Sequence, residues 1–136
     1  MANRKYILYA DDDDDDRDMM ETCFIPYPDY TLLTFRDGQP LLDYLDQVKK
    51  EQVCLVVLDV NMPLLGGIAT LQRLRSDSQF ADLPIIIFTT SSSPVDGDKA
   101  RGMNADVITK PVSLKQLEAV TARMIEYCTT YQNEKP

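Results

Sequence analysis

Two stretches of this chain are apolar at every position: Val53 to Leu58 reads VCLVVL, and Ile85 to Phe88 reads IIIF. A strand with one wet face alternates polar and apolar residues, whereas a strand covered on both faces does not need to. These two runs therefore require layers packed above and below them. The rest of the chain supplies such layers. Tyr6 to Ala10, Tyr30 to Phe35 and Asp106 to Thr109 read as three more strands. Helical spacing follows each strand. Met19, Met20, Cys23 and Phe24 share one face of a helix over about Asp14 to Ile25, stopped by Pro26-Tyr27-Pro28. Asp37 can cap a helix from Gly38 to Gln47 that groups Leu41, Leu42 and Leu45, with Pro40 tolerated in its first turn. After a Met62–Gly67 loop, Ile68, Leu71 and Leu74 mark a helix ending near Ser76. Ser93-Pro94 is a cap followed by proline at the first helical position, opening a polar helix to about Met103. Ser113 caps a last helix with Leu114, Leu117, Val120 and Met124 in one stripe, and a polar, frayed tail is expected from about Thr129.

Five repeats of strand then helix make a parallel sheet with helices on both faces, joined by right-handed crossovers. No internal repeat or linker marks a second domain. A chain of 136 residues, 44% hydrophobic, fits one soluble globular domain, expected over residues 1–128 with 129–136 as a C-terminal tail. In open sheets of this class, ligands bind at the carboxyl ends of the strands, where strand order reverses.

Charge and cysteine content narrow the functions. The net charge is −8, and the run Asp11–Asp16 alone supplies six negative charges. No basic patch could neutralise a row of phosphates, so neither direct nucleic-acid binding nor an anionic membrane surface is expected. No stretch has the length of a membrane span, and the chain starts almost at once with a strand, leaving no room for a signal peptide. Cys23, Cys54 and Cys128 are odd in number and lack metal-ligand spacing. They read as small buried hydrophobes in a reducing cytoplasm. With no histidine, the chain cannot itself carry phosphohistidine.

Chemistry gathers at four strand ends. The first strand runs into Asp11 and Asp12, the third into Asp59, the fourth into Thr89 and the fifth into Lys110. Three converging carboxylates repel one another unless a cation sits among them, and Mg²⁺ suits oxygen ligands and retained water. Asp13 to Asp16 read as the solvated first turn of a helix, with Asp13 as the alternative ligand should the strand end one residue later. Asp59, at the end of an apolar strand, is costly to bury uncompensated and could attack phosphorus beside the ion. Lys110 and Thr89 would serve phosphoryl oxygens that the metal does not reach.

The motifs ILYADD, LVVLDVNMPLLGG, IIIFTT and ITKPV, in this order, resemble the receiver domain of two-component response regulators over about residues 4 to 128, of the stand-alone, chemotaxis-regulator type. The resemblance implies a flavodoxin-like, doubly wound α/β fold, its five parallel strands ordered 2-1-3-4-5 with five helices. It implies Asp59 as phosphoacceptor, with Thr89 and Lys110 as the assisting hydroxyl and ammonium. Mg²⁺ would be held by Asp11, Asp12, Asp59 and the backbone carbonyl of Asn61. A cis bond between Lys110 and Pro111 is also implied, as are roles for Asn61 and Ser91 in tuning hydrolysis. The donor would be a histidine kinase or a histidine phosphotransfer protein in the cytoplasm. Output would come from an unidentified partner protein or from onward phosphotransfer, and homodimerisation through the helix 4–strand 5–helix 5 face is compatible with the family. Enzymatic activity beyond self-phosphorylation and autodephosphorylation is not expected.

Two departures from the family pattern bear on switching. Val107 stands three residues before the lysine, where many receivers carry Tyr or Phe, and Gly102–Lys110 is one residue longer than usual. A muted or different rearrangement of the strand 4–helix 4–strand 5 face is therefore expected. Two other functions fit the residues less well. A phosphorylation-independent interaction module would not need all five key positions filled. A Mg²⁺-dependent aspartyl-phosphate phosphatase would need a carboxylate two residues after the nucleophile, where Asn61 cannot protonate a leaving group.

Overall fold

The computed structural model describes residues 5–48, 50–90 and 94–134. Five strands, β1 (Lys5–Ala10), β2 (Tyr30–Phe35), β3 (Val53–Asp59), β4 (Ile85–Thr89) and β5 (Asp106–Thr109), form one parallel sheet in the order β2-β1-β3-β4-β5. They alternate with five helices: α1 (Asp14–Cys23), α2 (Gly38–Leu45), α3 (Gly67–Ser76), α4 (Pro94–Gly102) and α5 (Leu114–Glu134). The doubly wound α/β arrangement and its order are those the sequence and the resemblance imply. Two short 3-10 turns, Lys50–Gln52 and Ser78–Phe80, were not legible in the sequence.

Every residue of β3 and β4 is buried, as their unbroken apolar runs require. Two cores result. Leu8, Val56, Leu58 and Ile87 face α2, α3 and α4 through Leu41, Leu71, Leu74 and Ala100. Ile7, Val57, Ile86 and Phe88 face α1 and α5 through Met20, Leu117, Val120 and Met124. The pairing of β1 with β3 slips between Tyr6 and Ile7, so that Tyr6 pairs with Val53 but Ile7 with Leu55. This bulge inserts Cys54 and turns both Cys54 and Leu55 toward the α1–α5 core.

Cys54 and Cys128 are joined by a disulfide across 74 positions of sequence, a correction to their reading as free thiols in a reducing setting. The bulge supplies the physical reason, since it aims Cys54 at α5, where the Cα atoms stand 4.9 Å apart. Cys23 is a buried free thiol, as the sequence suggests. Helix α5 runs to Glu134, past the point where a frayed tail was expected. Met124, Cys128 and Tyr131 continue its packed stripe at helical spacing, with Cys128 fixed to the sheet. The expected Ser93 cap and Ser91 lie outside the described residues. Among the described residues no peptide bond is cis, so the implied Lys110–Pro111 cis bond is not found. Trans is the lower-energy isomer by about 0.5–1 kcal/mol, and Lys110 reaches its partners from it. No helix among the described residues is long and apolar enough to cross a membrane.

Candidate functional site

Register decides which side chains meet at the carboxyl edge. Ala10 pairs with Leu58, Asp59 with Phe88, and Phe88 with Ile108, so Asp11 and Asp59 leave the sheet at one level, with Thr89 one residue and Lys110 two residues further out along the same edge. The pleat then sorts them by face. Beyond the bulge, Val57 shares the α1–α5 face with Tyr9, Phe88 and Ile108, and Asp59, Asp11 and Lys110 follow in the same phase two residues on. Thr89 is buried and follows Ile85 and Ile87, in the opposite phase.

Asp11, Asp12 and Asp59 bring carboxylate oxygens within 4.8 Å of one another. Asp11 is wholly buried, Asp59 is 4% exposed, and Asp12 is open to solvent. The Lys110 ammonium sits among the acids, 2.9 Å from Asp11 Oδ2, 3.0 Å from Asp59 Oδ2 and 2.8 Å from Asp16 Oδ2. Its backbone N–H donates to the Thr89 carbonyl at 2.7 Å, tying β5 to the end of β4. Asn61 donates its backbone N–H to Asp59 Oδ1 at 3.4 Å. Sequence reasoning thus names Asp11, Asp12, Asp59 and Lys110, and the structure brings them together. Thr89 and Thr90 border a cleft of about 380 Å³ with Gly97, Val107 and Thr109 on the α4–β5 side.

Asp13–Asp16 are more than a solvated turn. Asp13 caps α1 by accepting from the Asp16 N–H, so Asp13 is not drawn into the acid cluster as the alternative ligand. Asp14 pairs with Arg17, whose guanidinium also donates to the Asp11 carbonyl at 2.6 Å. Asp16 binds Lys110, a role no signal in six identical residues could single out. Two further residues were missed. Tyr9 donates its phenol to Asp11 Oδ2 at 2.5 Å. Asp37, read only as a helix cap, is buried and accepts from the N–H groups of Gly38, Leu64 and Leu65, pinning the loop after Asp59. Close approach explains Gly67, where a Cβ would stand 2.4 Å from the Asp59 carbonyl oxygen.

The electrostatics call for a cation. Burial pushes the Asp59 carboxyl above the usual range; hydrogen bonding from Lys110 opposes this, and the Asp11 charge adds to it. Burial also works against the Lys110 ammonium, but bonds from Asp16, Asp11 and Asp59 outweigh it and raise its pKa above that of an ordinary lysine. The Tyr9 phenol is raised by burial and then by Asp11. One ammonium serves a cluster of four carboxylates, Asp11, Asp12, Asp16 and Asp59. Hard oxygen ligands, an excess of negative charge and one solvent-open acid fit a divalent ion that keeps part of its water.

Residues 7–122 match the family described as the response regulator receiver domain. YrkP of Bacillus subtilis (strain 168), an uncharacterized transcriptional regulatory protein, is 34% identical over 132 residues, covering 95% of this chain and 53% of that protein. The probable transcriptional regulator ycf27 of Cyanophora paradoxa is 37% identical over 118 residues, covering 86% of this chain and 46% of that protein. The chain spans about half the length of these curated relatives. Among solved structures, the phosphorylated cyanobacterial phytochrome response regulator RcpA superposes with a TM-score of 0.81 at 23% identity, over 93% of this chain and 94% of that one, a likeness of fold. The chemotaxis response regulator CheY4 of Vibrio cholerae gives 0.74 at 25% identity, over 88% and 98%. Because the family match runs from β1 into α5 and takes in every residue of the acidic pocket, the chain belongs to the response regulator receiver domain family.

Proposed function

We propose that Asp59 accepts a phosphoryl group from a phosphohistidine donor, and that the charge change at this residue alters partner binding or is passed onward. The observation that carries this is the Lys110 ammonium within 3.0 Å of both Asp11 and Asp59, in a pocket that Asp12 completes. An Asp59 carboxylate oxygen attacks phosphorus, the phosphorus–nitrogen bond breaks, and the imidazole leaves with the bonding pair, giving an acyl phosphate. Asp11, Asp12, Asp59 and the Asn61 carbonyl would hold Mg²⁺, which neutralises phosphoryl oxygens when bound. Lys110 turns from Asp59 toward the transferred group, and Thr89 donates its hydroxyl to another oxygen.

The donor in this reading is a histidine kinase or a histidine phosphotransfer protein, and the output partner is another protein. Such donors act in the cytoplasm, which is the location in this reading. With Val107 at the α4–β5 cleft, the response of that face is muted relative to a ring-turning switch. Residues 1–128 form the receiver unit in this reading, with 129–136 as its C-terminal extension. Incubation with acetyl phosphate and Mg²⁺, followed by intact-mass measurement, is expected to show a gain of one phosphoryl group that Asp59→Asn abolishes. An unchanged mass in the wild type, or a gain that survives Asp59→Asn, contradicts the reading.

A further inference from the structure

We propose that Tyr9 is a positioning residue for the cation site, holding the Asp11 carboxylate in the orientation that a divalent ion requires. This rests on the proposed function above and concerns a residue outside the ligand set. Tyr9 lies on β1 in phase with Ile7 and Asp11, its ring buried in the α1–α5 core and edge-on to Phe88, with ring centroids 6.0 Å apart. The residue is 2% exposed, so its hydroxyl cannot turn to water, and a buried phenol needs a partner. Its hydroxyl donates to Asp11 Oδ2 at 2.5 Å.

The remaining bonds to Asp11 show what this fixes. Oδ2 also receives the Lys110 ammonium at 2.9 Å, and Oδ1 receives the Asp13 N–H at 3.0 Å. A carboxylate offers about four acceptor sites. Oδ2 is thereby filled by two donors and Oδ1 by one, leaving the open acceptor site on Oδ1. Lys110 is a mobile partner, shared with Asp16 and Asp59 and required by the phosphoryl group once that arrives. Tyr9 is anchored in the core and does not leave. Its phenol therefore keeps Oδ2 engaged while the lysine changes partners, so that Oδ1 remains the oxygen with a site open to an ion. Groups that orient metal ligands in this way change metal affinity by about 10–100-fold when removed.

Tyr9→Phe deletes the donor and keeps the ring. The probe is Mn²⁺, followed by loss of its free-ion paramagnetic resonance signal, with Mg²⁺ as competitor. The expected result is a metal affinity weakened about tenfold, with the acetyl phosphate reaction at saturating Mg²⁺ within about twofold of wild type. Val57→Ala, beside Tyr9 in the sheet register, serves as a control for general loosening of the same core. It is expected to lower the melting temperature while leaving metal affinity within about twofold. The proposal is overturned if Tyr9→Phe binds Mn²⁺ as wild type does. It is equally overturned if Val57→Ala weakens binding as much, or if Tyr9→Phe lowers the saturated rate with affinity unchanged. A wild-type protein that binds neither ion would overturn the cation site itself, a distinct failure.

Discussion

At the scale of single residues, burial sets the chemistry of Asp59. Its carboxyl is raised from 3.8 by burial, against the hydrogen bond from Lys110. A raised value means the folded state holds this proton more tightly than the unfolded chain. Below about pH 4 both states are protonated and the group adds no pH dependence. As pH climbs from there through the raised folded value, the unfolded chain ionises freely, the folded one resists, and stability falls. In metal-free buffer, Asp59→Asn should therefore melt higher than wild type at neutral pH, with the gap closing toward about pH 4, as followed by circular dichroism. A wild type that melts at or above the variant at neutral pH would show that Lys110 more than offsets the burial cost. Asp37 is buried too, and it accepts three backbone N–H groups that lock the loop after Asp59.

At the scale of elements, Arg75 at the end of α3 ties together the turns that lead into β4 and β5. Its guanidinium donates to the carbonyls of Phe80, Ala81 and Leu83 ahead of β4, and of Met103 and Asn104 ahead of β5. Asn104 adopts a left-handed φ of 61°, tolerable for asparagine, and this turns the chain from α4 into β5. Five carbonyls served by one planar fork cannot be matched by a single ammonium. Arg75→Met should cost about 3 kcal/mol in urea unfolding, and Arg75→Lys should recover less than half of it. Full recovery by lysine would mean that charge, not the fork, holds these turns. Arg75 was not legible in the sequence because its partners are backbone atoms five to 29 positions away, and backbone acceptors leave no residue signature. The helices were legible for the reverse reason: Leu41 with Leu45, and Leu71 with Leu74, record their buried faces as periodicity.

At the scale of the whole molecule, the Cys54–Cys128 disulfide joins the middle of the chain to its last helix. Closing so long a loop restricts the unfolded ensemble more than the folded one. Cys54→Ala/Cys128→Ala is expected to lose about 2–4 kcal/mol against the oxidised wild type in denaturant unfolding. Equal stability of the two would show that the folded contacts already bring α5 onto β3 unaided. The disulfide escaped the sequence because 74 positions separate its partners and a bulge, not a motif, aims one of them.

What the sequence determined alone was the class of fold and the chemical content of one sheet edge. Apolar runs, helical stripes and strand-terminal acids are local patterns, and a strand–helix alternation leaves few ways to wind a sheet. What the tertiary structure decided was phase and partnership. The apolar run Val53 to Leu58 of β3 carries no period-two record of which way it faces. Only packing and the slip at Cys54 established that Asp59 shares a face with Asp11, Tyr9 and Lys110. Six adjacent aspartates are likewise equal until a folded lysine reaches Asp11 and Asp16 and passes over the others.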